Sequence, residues 1–150
     1  MGFFEHTVSN DSRPSWDKYF MDMAIVVSSR SPDPKKKVGA VLVDSRNRII
    51  STGYNAFPAG FLEKDVDWTD RDFVKDGVIH AEVNTILYSM SKYDNAVLYT
   101  TLSPCSECFK IIAGARIKKI YYKEEYNKNI EKSKKLAKMF EIEMIKIWDK

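Results

Sequence analysis

The chain has two cysteines, Cys105 and Cys108, in the run Pro104-Cys105-Ser106-Glu107-Cys108, downstream of His80-Ala81-Glu82. A fold that uses these residues together must bring two separate segments to one point. Jointly they offer a metal ion one nitrogen and two sulfurs, with a carboxylate left over. A structural zinc site encloses the ion with four protein ligands, whereas a catalytic site uses three and keeps the fourth position open. Three ligands therefore point to chemistry. Each half of the pattern precedes apolar residues at helical spacing: Val83, Ile86, Leu87 and Met90 after the histidine, and Phe109, Ile111, Ile112 and Ala115 after the cysteines. Both segments are expected to be helix N-termini, where the helix dipole and free backbone N–H groups favour the thiolate that zinc requires. Cys105 and Cys108, three apart on a first turn, would share one face, and His80 on the other helix would complete the triangle.

Glu82 lies two residues past the histidine, beside the metal but misplaced to ligate together with it, and reads as a proton carrier. A bound zinc lowers the pKa of water from about 16 to about 7, and one carboxylate within reach serves as both base and acid. A Cys-x-x-Cys pair alone also fits a redox couple, half of a structural zinc site, or coincidence. A closed structural site would need His6 as its fourth ligand, in a tail with no element to hold it. The paired pattern, His-x-Glu followed by Pro-Cys-x-x-Cys, resembles the signature of zinc-dependent nucleobase deaminases.

With 150 residues, 44% hydrophobic and 13% aromatic, the chain is expected to form one domain over 15–150 preceded by a flexible tail over 1–14. Cysteines committed to a metal leave none for disulfides, and the first residues carry no secretory leader pattern, so a reducing compartment is expected, cytosolic or nuclear, with the cytoplasm first. Gly2 fails the myristoylation pattern because His6 stands where Ser or Thr is needed. No stretch reaches the length of a membrane span. The net charge of +3 comes with basic clusters at Lys35 to Lys37, Lys118 to Lys119 and Lys132 to Lys138, which suit a phosphate-bearing substrate or simply solvated faces.

Ser15 is a plausible N-cap for a helix running to about Arg30, with Tyr19, Phe20, Met23, Val26 and Val27 on its apolar stripe, and Ser31-Pro32-Asp33-Pro34 stops it. Val38 to Val43 and Ile49 to Thr52 read as an antiparallel hairpin about Asp44-Ser45-Arg46-Asn47. Residues 53–77 read as one long irregular stretch, functional on grounds of length and placed over or beside the site. A strand at Ala96 to Thr101, the cysteine helix ended by Gly114, a strand at Lys118 to Tyr122, a helix over 128–139 and a strand at Glu141 to Trp148 follow. Right-handed crossovers would make the last three strands parallel beside the hairpin. The expected fold is α/β, a three-layer sandwich with a mixed five-stranded sheet flanked by helices.

From Ser15 onward the chain resembles the cytidine deaminase superfamily, and within it the deoxycytidylate (dCMP) deaminases. Besides the metal signature, the likeness rests on Ser15-Trp16-Asp17-Lys18-Tyr19-Phe20-Met21, Asp33-Pro34 before Val38-Gly39-Ala40, Gly53-Tyr54-Asn55 before Phe57-Pro58, and His80-Ala81-Glu82-Val83-Asn84. The resemblance implies a cytidine-deaminase-like fold, one zinc per chain on His80, Cys105 and Cys108, and hydrolysis of dCMP to dUMP and ammonia for thymidylate synthesis. Zinc-bound hydroxide would attack C4 of the base while Glu82 protonates N3 and then the amine. It further implies that backbone near Ala81 and Ser103 to Pro104 holds the base edge, that Asn55 contacts the sugar and phosphate side, that Tyr126 closes over the nucleotide, and that Lys35 stands at a turn position that meets phosphate in some members. Lys36 and Lys37 are equally eligible. Regulated members bind dCTP, or dTTP with Mg2+, through the segment matched here by Gly53, Tyr54, Asn55 and Pro58. Relatives form homo-oligomers, often hexamers.

Two departures stand out. Phe61 replaces a cysteine that serves a second structural zinc in several members, so that site is expected to be absent. Ala56 replaces a glycine in the effector segment and restricts its backbone. Three rival readings remain open: a deaminase acting on a base within nucleic acid, such as the tRNA adenosine deaminases, supported by the basic last helix; a deaminase of dCTP or modified dCMP; and a zinc-stabilised binding module without activity.

Overall fold

Ser15 caps the first helix by accepting a hydrogen bond from the Lys18 N–H at 3.2 Å. The computed structural model in which this is seen describes residues 12–90, 93–126 and 130–147. Most of the expected tail over 1–14, including Gly2 and His6, and the ends of the last expected helix and strand lie outside the described residues. Helix α1 spans Trp16–Ser28 and is followed by strands β1 (Gly39–Val43) and β2 (Ile49–Tyr54). A 3₁₀ turn over Glu63–Asp65 and helix α2 (Arg71–Gly77) lead to helix α3 (Ala81–Leu87). Strand β3 (Val97–Leu102), helix α4 (Ser106–Gly114), strand β4 (Lys119–Glu124), helix α5 (Ile130–Met139) and strand β5 (Glu143–Lys146) complete the chain.

The sheet runs β2-β1-β3-β4-β5. Strand β1 pairs antiparallel with β2 and β3, while β3, β4 and β5 are parallel, as two helix crossovers require. Asp44 sets the hairpin by accepting from the N–H groups of Arg46 at 2.8 Å and Arg48 at 3.0 Å, and Asn47 takes the left-handed conformation, φ 62°.

All five residues of β1 are buried, since both faces of the sheet are covered. Its period-two alternation divides the core. Ala40 and Leu42 join Ala81, Leu98, Phe109, Ile112 and Ile120 against α3, α4 and α5, whereas Val41 and Val43 join Phe20, Met21, Ala24 and Tyr99 against α1. The three-layer mixed sandwich expected from the sequence is the fold observed.

Several expectations need correction. Helix α1 buries Phe20, Met21 and Ala24, while Tyr19 is 42% and Val26 69% exposed. The helix is apolar on nearly every side, so its pattern alone leaves the buried face undetermined by about one residue. Helix α3 ends at Leu87, which is 60% exposed, and Met90 lies beyond it; Val83 and Ile86 pack against the core as expected, but the buried positions are Ala81, Glu82, Asn84 and Thr85. Small and polar residues face the sheet there because α3 lies close against β2. A Cβ on Gly53 would stand 2.5 Å from both the Thr85 N and Oγ1 and 2.8 Å from the Ala81 O.

The stretch 53–77 is not wholly irregular. Strand β2 continues to Tyr54, and Asp70 nucleates α2 by accepting from Phe73 N–H at 3.2 Å. Seven residues with one buried apolar position, Val74, leave too little periodicity to recognise in advance. Gly114 is the last residue of α4, and the left-handed residue after that helix is Arg116, φ 63°. Among the described residues no helix is long and apolar enough to cross a membrane.

Candidate active site

His80 and Cys105 occupy the N-cap positions of α3 and α4, with extended backbones, and neither side chain bonds back to its own helix. A serine or aspartate there would satisfy the free N–H groups of the first turn. Here the two cap side chains are left to face each other. The His80 Nδ1 lies 3.2 Å from Cys108 Sγ and 3.4 Å from Cys105 Sγ, and the two sulfurs are 3.4 Å apart. Both cysteines are free thiols. A tetrahedral zinc with bonds of about 2.3 Å to sulfur and about 2.0 Å to nitrogen spaces its ligand atoms roughly 3.5–3.8 Å apart, close to this triangle. The donor set therefore fits zinc, and these three are the residues that would hold it.

The thiols titrate as a pair. The S–H of Cys108, together with His80, stabilises the Cys105 thiolate and brings Cys105 down to about 4, while that same donation and burial push Cys108 up. His80 is raised chiefly by its bond to Cys105.

Glu82, on the first turn of α3, is 4% exposed. Burial pushes its carboxyl above the usual range, opposed by the charge of His80, and it lies in contact with Cys108. The arrangement offers a metal three ligand atoms, with a buried carboxyl beside them. Pro104 before Cys105 is buried, and its C=O accepts from Ser133 Oγ at 3.1 Å, so α5 fixes the cysteine loop. Sequence reasoning missed Ser133 because one serine in a lysine-rich helix carries no local signal.

Ala81 is fully buried at the start of α3, its C=O accepting from Thr85 Oγ1 at 2.7 Å. Ser103, also buried, receives the Tyr126 N–H on its Oγ at 2.7 Å and donates its own N–H to Glu124 O at 2.8 Å, which brings Tyr126 to the cysteine loop. Asn55 is buried, its Oδ1 accepting from Val38 N–H and its Nδ2 donating to Lys36 C=O, both at 2.8 Å. Its side chain thus shapes the loop over residues 36–38. Gly53 lets α3 approach, and the Tyr54 C=O accepts from Asn84 Nδ2 at 2.9 Å, so the end of β2 positions the helix that carries Glu82. Pro58 starts a turn whose Gly60 has φ 90°.

The three lysines separate. Lys35 lines a cleft of about 350 Å³ with Pro34, Trp68, Thr69 and Arg71. Lys37 donates to the Ser31 C=O. Lys36 extends over the Tyr126 ring, 4.0 Å from its centroid. Burial lowers Lys36, and the charges of Glu82 and Cys105 oppose that fall. Nothing in the sequence distinguishes Lys36 from its neighbours, since the choice depends on bonds to Asp33 and Asn55 and on the distant Tyr126.

The sequence profile of the cytidine and deoxycytidylate deaminase zinc-binding region matches residues 14–124, which include every residue of the triangle. The chain belongs to this deaminase family. A probable deoxycytidylate deaminase of Drosophila melanogaster is 40% identical over 118 residues, 71% of this chain and 58% of its own length. A probable deoxycytidylate deaminase of Caenorhabditis elegans is 39% identical over 110 residues, 70% of this chain and 55% of its own length. The chain thus spans somewhat over half the length of these relatives. Among solved structures, the dCMP deaminase of the cyanophage S-TIM5 in complex with dCMP and dUMP is similar over 90% of this chain and 98% of its own, at 30% identity and a TM-score of 0.74. Membership in the deaminase family accounts for the His80, Cys105 and Cys108 donor set.

Proposed function

We propose that this chain catalyses hydrolytic deamination of dCMP to dUMP and ammonia. The observation that carries the reading is Glu82, buried beside the His80, Cys105 and Cys108 triangle in a fold similar to a phage enzyme solved with dCMP and dUMP. Zinc held by the triangle supplies the Lewis acidity that makes water a nucleophile near neutral pH. Glu82 takes one proton from the attacking water and delivers it to N3 of the cytosine ring as the water oxygen bonds to C4. It then moves the remaining hydroxyl proton to the exocyclic amine, the C4–N bond breaks, and ammonia leaves a C4 carbonyl. A carboxyl raised by burial suits both transfers, since it is a stronger base than an exposed carboxylate and still gives the proton up.

In this reading the backbone of Ala81 and Ser103 holds the base edge, Tyr126 closes over the nucleotide, and Asn55 serves the sugar and phosphate side by shaping the loop at residues 36–38. Lys35 in its cleft is near enough in sequence to assist. Effector control by dCTP, or by dTTP with Mg2+, is assigned to Gly53, Tyr54, Asn55 and Pro58; Gly53 abuts Ala81, one residue from Glu82, which supplies a short mechanical route. A rate unchanged by either triphosphate would reject that control. We further propose a homo-oligomer, a hexamer by analogy, a cytoplasmic setting, and a role in supplying dUMP for thymidylate synthesis.

The test is ultraviolet absorbance of the zinc-loaded protein given dCMP and, separately, deoxycytidine, CMP and dCTP. Loss of the cytosine band with dCMP supports the reading, and comparable loss with dCTP widens the substrate class. No loss with any of them, from folded protein carrying one zinc per chain, overturns it in favour of a base within nucleic acid.

A further inference from the structure

Arg71, the first residue of α2, grips a carboxylate 38 positions earlier in the chain. Its guanidinium donates to both oxygens of Asp33, at 3.1 and 2.8 Å, and Nη1 also donates to the Trp68 C=O at 2.9 Å. The backbone that carries it is braced on either side, since Trp68 and Phe73 both pack on the buried ring of Phe57, with centroids 5.6 and 5.9 Å away. The Asp33 side chain is 3% exposed, and its Oδ1 also accepts the N–H groups of Lys35 at 2.9 Å and Lys36 at 3.3 Å, which sets the turn leading into β1. Asn55 holds the same turn from the other side, through the Lys36 C=O and the Val38 N–H. Ser31 Oγ joins the two clamps, accepting from the Asp33 N–H at 3.4 Å and donating to the Asn55 C=O at 2.8 Å. This turn borders the metal triangle, for the charges of Glu82 and Cys105 both act on Lys36. His80 is held separately, by the backbone bridge in which Ala56 and Ile79 exchange bonds of 3.2 and 2.8 Å.

Resting on the dCMP reading above, we propose that Arg71 is a positioning residue for substrate binding: through Asp33 it holds residues 33–38 and Asn55 in the shape that receives the nucleotide, itself touching neither nucleotide nor metal. A buried carboxylate deprived of its cation is costly, so Asp33 without Arg71 takes up a proton or turns toward water. Either response weakens the bonds from the Lys35 and Lys36 N–H groups, because a neutral or displaced oxygen is the poorer acceptor. The turn then keeps one clamp of two, and small displacements of a binding wall are enough to lose affinity. The triangle stays formed, since the Ala56–Ile79 bridge and the two helix starts do not depend on the ion pair.

The test compares zinc-loaded wild type, Arg71→Ala, Arg71→Lys, Asp33→Asn and the Asp33→Asn/Arg71→Ala double variant by kcat and KM for dCMP, calorimetric binding of dUMP, zinc content and melting temperature. In Arg71→Ala, KM for dCMP and the dissociation constant of dUMP are expected to rise together by roughly 3- to 30-fold, the span of coupling within one bonded network. Zinc stays at one per chain and kcat within about twofold, the pattern of lost binding rather than lost chemistry. Arg71→Lys, which keeps the charge but not the paired bonds, recovers part of the affinity. In the Asp33→Asn background the further loss of Arg71 costs less than about twofold, because the two act as one unit. A lowered melting temperature with KM and dUMP affinity unchanged makes the pair merely structural and overturns the assignment. Effects of the two single variants that multiply in the double variant overturn it as well, since Arg71 then acts apart from Asp33. Wild type inert to dCMP refutes the deaminase reading, and the dUMP titrations then decide Arg71 independently; wild type that also fails to bind dUMP overturns both.

Discussion

At the scale of single residues, the proposed division of labour rests on Glu82 being buried beside the His80, Cys105 and Cys108 triangle without joining it. Glu82→Gln preserves size and burial but cannot carry a proton. It is expected to keep the melting temperature and one zinc per chain while lowering kcat by about 10²–10⁴-fold, the usual contribution of a positioned acid–base group. Zinc content by atomic absorption and turnover on the same sample check this, and loss of metal would reassign the carboxyl as a ligand. Ser133 makes a smaller prediction. Ser133→Ala removes a buried donor to Pro104 C=O and should lower stability by about 1 kcal/mol in urea unfolding, with a measurable loss of zinc affinity. His80, Glu82, Cys105 and Cys108 were legible in sequence because their spacing is a local property that a helix start converts directly into geometry. Ser133 and Lys36 were not, because each is defined by a partner in a different segment.

At the scale of elements, the site depends on how closely α3 lies on β2 and on how the segment carrying Lys36 is held. Gly53→Ala places a methyl group within 2.5 Å of Thr85. It is expected to destabilise by about 1–3 kcal/mol and to reduce turnover beyond what the unfolded fraction explains, because Ala81 and Glu82 must shift with the helix. Urea titration and kcat on one preparation separate the two effects. The segment before β1 is fastened by Asp33, which is 2% exposed and bonded to Arg71 of α2. Burial by itself raises the Asp33 carboxyl, but the bonds from Arg71, Lys35 and Lys36 outweigh it and hold the carboxyl below the usual range. A group depressed in this way contributes stability that is complete above its unfolded value, about 4, and lost as pH falls through its folded value. Wild type should therefore lose melting temperature below about pH 4 more steeply than Asp33→Asn, as calorimetry over an acid pH series would register. Helix α2, the partner in this pair, escaped prediction because seven residues with one buried apolar position do not make a period.

At the scale of the whole molecule, the sheet and its two covered faces hold the fold while the His80, Cys105 and Cys108 triangle, formed by two helix starts, would hold the metal. Chelating the zinc is expected to abolish turnover and lower the melting temperature without unfolding the chain, since the core against α1 touches no ligand. Circular dichroism with and without chelator, followed by zinc addition, checks both halves of that expectation. By itself the sequence determined the order of the strands and of the helices other than α2, the parallel second half of the sheet and the His80, Cys105 and Cys108 triangle, because alternation, helical period and motif spacing act over a few residues. Tertiary structure decided which face of α1 is buried, why α3 presents Ala81, Asn84 and Thr85 inward, and which of three adjacent lysines lies over Tyr126. Those outcomes depend on contacts between residues far apart in the chain: Gly53 against Thr85, Asp33 against Arg71, and Lys36 against Tyr126. Such contacts leave no periodic trace in either partner, so only the packed chain reveals them.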